Sequence, residues 1–309
     1  MDIYPRLIER LPIAHPLISH LENRTQSIEA GNSGEAYVDN FLKQVTFPKN
    51  YSILKDLHIS LKDDHYLQID SLILTQKYIA ILEIKNIKGT LYFQKNPEQL
   101  LRVIDGETTS FKCPEQQIKR HAKSLGILLE QQGISLPIKP FIVFAYSKTI
   151  VAQAPREIKA VMGCDIAMHI EELHALPDKI SSAKLRALVK FLQEHNTPFI
   201  PRPLSTMYGL DIASVRKGLL CPKCLRIVDV IGGGCPVCGT KKKLMLQQGL
   251  EDWFYLCKDT ITNRECMEFL GLKDKHAAYY LLKNSGLHFE GKNRGRHYFI
   301  PKPVPVLKR

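Results

Sequence analysis

The chain has 309 residues, 44% hydrophobic and 24% charged, with a formal net charge of +12. That is enough chain for two or three separate cores, and too mixed a composition for a disordered or fibrous protein. No run approaches the roughly 18 apolar residues of a membrane span, and the opening MDIYPRLIER, with an acid at position 2, does not read as a secretory leader. A cytoplasmic protein without a membrane partner is therefore expected.

The charge is unevenly spread. Residues 214–309 carry 18 Lys and Arg against 8 Asp and Glu, a net of +10, whereas residues 1–213 carry 25 against 23, a net of +2. A basic C-terminal third points to a polyanion, with nucleic acid the first candidate. Four of the eight cysteines fall in two C-x-x-C pairs, and Cys113, Cys164, Cys257 and Cys266 are scattered. This is a metal pattern with spare thiols, suited to a reducing compartment rather than to a disulfide framework.

Residues 1–27 show no clear period and are expected as an extension packed on the first domain. The apolar positions Ala36, Phe41, Leu42 and Val45 predict a helix over 33–45, with Ser33 as its cap and Glu35 in its first turn. Short strands follow at 52–57, 66–74, 78–85 and 89–93. Pro114 opens a helix that runs to about residue 131, and PFIVFAY (140–146) reads as a fully buried strand. Residues 166–170 are expected as a strand and 182–195 as an amphipathic helix. Three prolines within 197–203 suggest a stiff linker. The order of helix, hairpin, helix and strand predicts an α/β domain over 28–200.

The most informative stretch is YLQIDSLILTQKYIAILEIK, residues 66–85. Asp70, Glu83 and Lys85 interrupt two apolar, β-prone runs, where charge is costly without a reason. Strand alternation puts Glu83 and Lys85 on one face. If residues 74–78 form a tight hairpin, positions summing to 153 lie opposite each other, which pairs Asp70 with Glu83. Two carboxylates with Cβ atoms roughly 5 Å apart repel unless a cation lies between them. A hard divalent ion, Mg²⁺ or Mn²⁺, resolves the conflict. Lys85 can then orient a water and stabilise charge on a phosphate under attack. The plain alternative is an ion pair between Lys85 and Glu83 or Asp70 on the wet side of a sheet.

Together GEAYV (34–38), LHISLKDDHYLQIDSLIL (57–74), YIAILEIKNIKGTLY (78–92) and CPEQQIKRH (113–121) resemble the NERD family, the nuclease-related domain placed in the PD-(D/E)xK nuclease superfamily. The resemblance covers roughly residues 28–145. It implies a restriction-endonuclease-like core, a mixed sheet flanked by helices, and hydrolysis of a nucleic-acid phosphodiester. It further implies Glu35 as a helix acid completing the metal site, Asp70 and Glu83 as metal ligands, Lys85 as the catalytic lysine and Gln117 as a supporting glutamine. Cys113 stands where the family more often has Asn.

Cys221-Pro-Lys-Cys224 and Cys235-Pro-Val-Cys238 are separated by ten residues. Two such knuckles close a tetrahedral S₄ site for structural Zn²⁺, and four thiolates leave no open coordination position. Residues 218–245 are therefore expected as a zinc ribbon, similar to those of topoisomerase tails, with Gly232–Gly234 turning its hairpin. Further on, Thr262 and Glu265 form a capping box, Gly271 ends a short helix, and Asp274 can cap a second one over 275–284. On that second helix Ala277, Ala278, Leu281 and Leu282 are expected inward, and Lys275, His276, Tyr279 and Lys283 outward. A hairpin around Gly291–Gly295 carries Lys292, Arg294 and Arg296. Residues 246–309 thus read as a winged helix-turn-helix whose second helix enters the DNA major groove while the wing contacts phosphates.

The expected organisation is an extension (1–27), a nuclease-like domain (28–200), a linker (201–217), the ribbon and the winged module. The expected activity is Mg²⁺-dependent cleavage of DNA, with RNA open as a substrate. The rival is a DNA-binding, regulatory or adaptor protein that keeps a nuclease fold without its activity.

Overall fold

A computed structural model describes residues 3–62, 65–197, 202–228 and 233–301 of the protein. They form two compact units, 29–197 and the combination of 3–28 with 202–301. The chain opens with two helices, α1 (Tyr4–Arg10) and α2 (Ile18–Leu42). The helix expected over 33–45 is therefore the end of a much longer one. Ser33 is not its cap, and Glu35 lies far from its first turn.

Strands β1 (Tyr51–Lys62), β2 (His65–Thr75) and β3 (Ile79–Lys85) follow as an antiparallel meander. Next come β4 (Thr90–Lys95), β5 (Glu98–Ile104) and β6 (Glu107–Lys112), then helix α3 (Pro114–Gln131) and β7 (Ile138–Phe144). The unit closes with β8 (Ile150–Gln153), β9 (Lys159–Met162), α4 (Ile166–Glu172) and α5 (Ser182–Glu194). The main sheet has the order β1-β2-β3-β7-β9, and β7 runs parallel to both β3 and β9. It is thus mixed, as expected. A second sheet, β6-β5-β4-β8, stands beside it in sequence.

Helices flank the main sheet on both faces. Ile79 and Ile81 of β3 share a core with Ile118, Leu125 and Leu128 of α3 and with Leu185, Leu188 and Leu192 of α5. Ala80, Leu82 and Ile84 point the other way, into a core with Val38 and Leu42 of α2 and Ile166 and Ile170 of α4. Each buried Leu or Ile contributes about 1.5–3 kcal/mol relative to exposure. This division also explains residues 166–170, which are helical and not a strand. Ile166 and Ile170 are the two buried positions, and a spacing of four lies on one face of a helix.

The other unit contains α6 (Leu204–Tyr208), β10 (Leu219–Leu220), β11 (Ile227–Val228), α7 (Lys242–Asp252), β12 (Thr260–Thr262), α8 (Asn263–Leu270), α9 (Lys275–Lys283), β13 (His288–Glu290) and β14 (His297–Phe299). Its core joins Tyr4, Leu7 and Leu11 of the N-terminal segment to Leu204, Val215, Trp253, Phe269 and Leu282. Residues 1–27 are therefore no extension of the nuclease-like domain in the described part, and Leu204 and Val215 of the expected linker are core residues. Within this core Asp252, 2% exposed, accepts from both Arg6 and Arg10. Arg10 also donates to the carbonyls of Arg216 and Gly218 and lies over the Phe269 ring. Among the described residues no helix is long and apolar enough to cross a membrane.

Candidate active site and metal centre

The hairpin between β2 and β3 is tight. The Thr75 amide donates to the Tyr78 carbonyl, and the Thr75 hydroxyl accepts from the amides of Lys77 and Tyr78. Ser71 pairs with Leu82 and Leu74 with Ile79, so opposed positions sum to 153. One step beyond Ser71 and Leu82 stand Asp70 and Glu83. The Ile84 amide donates to Asp70 Oδ2 at 2.8 Å, which ties the aspartate to β3.

Glu83 is 1% exposed and lies on the α3 face of the sheet. Lys85, two residues on and on the same face, donates from Nζ to Glu83 Oε1 at 2.6 Å. The lysine is half-buried and the glutamate is buried, so this is not an ion pair on a wet sheet face. Burial, followed by the charge of Glu83, pushes the Asp70 carboxyl up to about 6, against the opposing pull of the Ile84 amide, Lys85 and His121. Two acids with one lysine leave an excess of negative charge in a desolvated place. That donor set fits a hard divalent cation with oxygen ligands.

Glu35 belongs to the same electrostatic cluster. Its carboxyl is raised first by burial, then by Asp70 and Asp56. Because it sits well inside α2, a favourable position at a helix N-terminus does not account for it. Gly34 explains how α2 approaches so closely. A Cβ there would lie 2.6 Å from the Asn86 Cβ and 3.2 Å from the Ala145 Cβ. The Asn86 amide donates to the Ala30 carbonyl one turn earlier on the helix. The Gly-Glu pair thus seats α2 close to the strand ends, with its acid within electrostatic reach of Asp70.

Helix α3 covers the site from the other side. Its buried Glu115 accepts from the amides of Arg156, Glu157 and Ile158, fixing the start of the helix. Cys113 is the N-cap and makes no side-chain cap bond, where Asn would. Gln117 is half-buried one turn further on, and among the described residues no hydrogen bond joins it to the acids. The α3 residue that comes near them is His121, whose Nδ1 lies 3.8 Å from Glu83 Oε2. The sequence reading quoted it as the end of CPEQQIKRH (113–121) but gave it no role. Its signal is the spacing of four from Gln117, which places both on one helix face.

The four cysteines also converge. Cys221 and Cys238 sulfurs lie 3.4 Å apart, those of Cys224 and Cys235 3.7 Å apart, and all four fall within 4.8 Å of one another. A tetrahedral ion with Zn–S of about 2.3 Å needs sulfurs about 3.8 Å apart, so the set fits zinc. The two knuckles are built alike. Leu225 and Gly239, four residues after each first cysteine, adopt left-handed conformations and donate to the carbonyls of Cys221 and Cys235. Gly232 of the expected hairpin turn lies outside the described residues, whereas Gly234 bridges to Lys241.

In the C-terminal module the capping box of Thr262 and Glu265 is formed, Gly271 is left-handed, and Asp274 caps α9 through the amides of His276 and Ala277. Strand β14 pairs with both β12 and β13, making a three-stranded antiparallel sheet. Lys275, His276, Tyr279 and Lys283 are exposed, as expected. Ala277, expected inward, is exposed too, since Ala278 and Leu282 alone fill the narrow buried stripe. Lys292 is exposed, and Arg296 is half-buried with its guanidinium over the Phe289 ring. The Arg294 side chain lies outside the described residues.

A mixed sheet between helical layers carries an acid pair and a lysine at one strand end. Residues 30–145 match the NERD family, the nuclease-related domain. Over 102 residues the chain is 28% identical to an uncharacterized protein of Bacillus anthracis; the match covers 33% of this chain and 48% of that protein. The chain thus spans about half the length of that relative. No solved structure matches.

Proposed function

We propose that the protein is a divalent-metal-dependent nuclease that hydrolyses DNA phosphodiester bonds. The reading is carried by the opposed pair of half-buried Asp70 and buried Glu83, with Lys85 on Glu83 and the Asp70 carboxyl pushed up to about 6. Asp70 and Glu83 would hold Mg²⁺ or Mn²⁺, with Glu35 completing the acidic set. The ion, when bound, supplies charge for the scissile phosphate and acidifies an attacking water. The Ile84 amide keeps Asp70 turned toward Glu83. Lys85 orients the water and stabilises the negative charge that grows as water adds to phosphorus and the P–O bond breaks. Gln117, on the α3 face above, supports the site.

The rest of the chain serves the polymer. The cysteine set at 221–238 holds structural zinc within a ribbon. The sequence of β12, two capped helices and a three-stranded sheet supports a winged helix-turn-helix reading of residues 246–309, with Lys275, His276, Tyr279 and Lys283 facing the groove and Lys292, Arg294 and Arg296 on the wing. Unpaired cysteines suit work in the cytoplasm.

The test is cleavage of plasmid and of labelled DNA and RNA oligonucleotides in Mg²⁺ or Mn²⁺. Lys85→Ala is expected to lower cleavage by at least about 100-fold while DNA affinity stays nearly unchanged. Equal cleavage by variant and wild type, or none by wild type in either metal, contradicts the proposal. Intact DNA bound with steep salt dependence is what the non-catalytic rival predicts.

A further inference from the structure

Three groups touch the Glu83 carboxylate or the acid opposite it, and the proposed mechanism leaves one of them unused. His121 sits on α3, one turn past Gln117, with its side chain 14% exposed. Its Nδ1 is buried and has no hydrogen-bond partner among the described residues. A buried polar atom left unpaired costs about 1–3 kcal/mol, and where one persists it marks a task other than packing. This one points at Glu83 Oε2 from 3.8 Å, too long for a hydrogen bond and closed by a shift of about 1 Å. Lys85 holds the other oxygen, Oε1, of the same carboxylate.

We propose that His121 is a positioning residue for Glu83, its Nδ1–H holding Oε2 while Lys85 holds Oε1. An ionised carboxylate has about four lone-pair directions, so two pins leave room for a cation on the same group. Pinned at both oxygens, Glu83 cannot rotate away from Asp70, and the acid pair keeps the spacing a divalent ion needs. The gap to Oε2 is what remains to be closed when a cation draws the carboxylates together. Groups of this kind, one step behind a metal ligand, typically change metal affinity or activity by about 10–100-fold when removed. The inference rests on the acid site proposed above, but it concerns a residue to which the motif reading gave no role.

The experiment measures Mn²⁺ affinity of the full-length protein, by the electron spin resonance of free Mn²⁺, alongside thermal melting and DNA cleavage. His121→Ala and the shape-preserving His121→Phe are expected to weaken Mn²⁺ binding by about 10-fold or more. His121→Asn places an amide donor where Nδ1 stood and is expected to restore most of the affinity. His121→Gln places its donor at the Nε2 position and is expected not to. The Asn–Gln contrast separates a positioning role from a structural one, because both variants disturb packing alike, and it stands even if the Ala variant fails to fold. Wild-type Mn²⁺ affinity in His121→Phe, or equal rescue by Asn and Gln, overturns the proposal. If the wild-type protein binds no Mn²⁺ at all, the acid-site reading itself falls, which is a different result from a histidine without effect.

Discussion

Two buried carboxylate clusters in this chain are built in opposite ways. Asp252 is 2% exposed and takes guanidinium bonds from Arg6 and Arg10, two cations for one anion, with Arg10 also tied to two carbonyls. Glu83 is equally buried, yet it has one lysine, a second carboxylate opposite it, and a histidine nitrogen that stops short. The first cluster is complete and locks the N-terminal helix into its core. The second is short of positive charge in the place where solvent helps least. Completeness suits a structural cluster, and the deficit is what the proposed cation would fill.

The comparison breaks first at Asp252. Asp252→Ala leaves two buried guanidiniums uncompensated and is expected to cost about 3–5 kcal/mol, read as a large fall in the melting of the unit that contains it. A small loss there would mean the cluster is not the lock described. Divalent metal should act on the other cluster alone. Mn²⁺ at 100 times its dissociation constant is expected to stabilise the wild-type protein by about 2.7 kcal/mol. It should do nothing for Asp70→Asn or Glu83→Gln, checked by melting with and without Mn²⁺.

A smaller effect has the opposite sign to most substitutions. Without metal, Asp70→Asn is expected to raise stability at pH 7.5 by about 1–2 kcal/mol, because it removes one of two repelling charges. The pH dependence follows from the raised carboxyl. Its folded value of about 6 lies above its ordinary value of 3.8, so the folded state holds the proton more tightly. The contribution is fully present below the unfolded value and is lost as pH rises through the folded one. The stability gap between Asp70→Asn and wild type should therefore narrow as pH is lowered from 7.5 toward 4. A gap that widens on acidification would contradict the assignment.

Much of this was legible in the residues, for reasons that are local. Pro114 fixed the start of α3, and the capping residues fixed α8 and α9. The β2–β3 register followed from a tight hairpin whose turn is closed locally by Thr75. What stayed hidden depends on partners distant in sequence. The polar stretch of α2 before residue 33 has no apolar period of its own, and its Thr25 and Ser27 hydroxyls fold back on the helix carbonyls of Leu21 and Asn23. Gly34 reads as a helix breaker until Asn86 is seen lying against it. His121 ends the stretch CPEQQIKRH, but only the folded helix brings it to Glu83. Residues 98–112 form β5 and β6, and β6 is exposed throughout, so it shows no buried face to read.

The most direct test of the central claim is a Mn²⁺ soak of crystals of the full-length protein, read by anomalous scattering. The account predicts a peak bound by the carboxylates of Asp70 and Glu83 and lost in Glu83→Gln. Mn²⁺ bound elsewhere at saturating concentration, with no peak between these two acids, would contradict it.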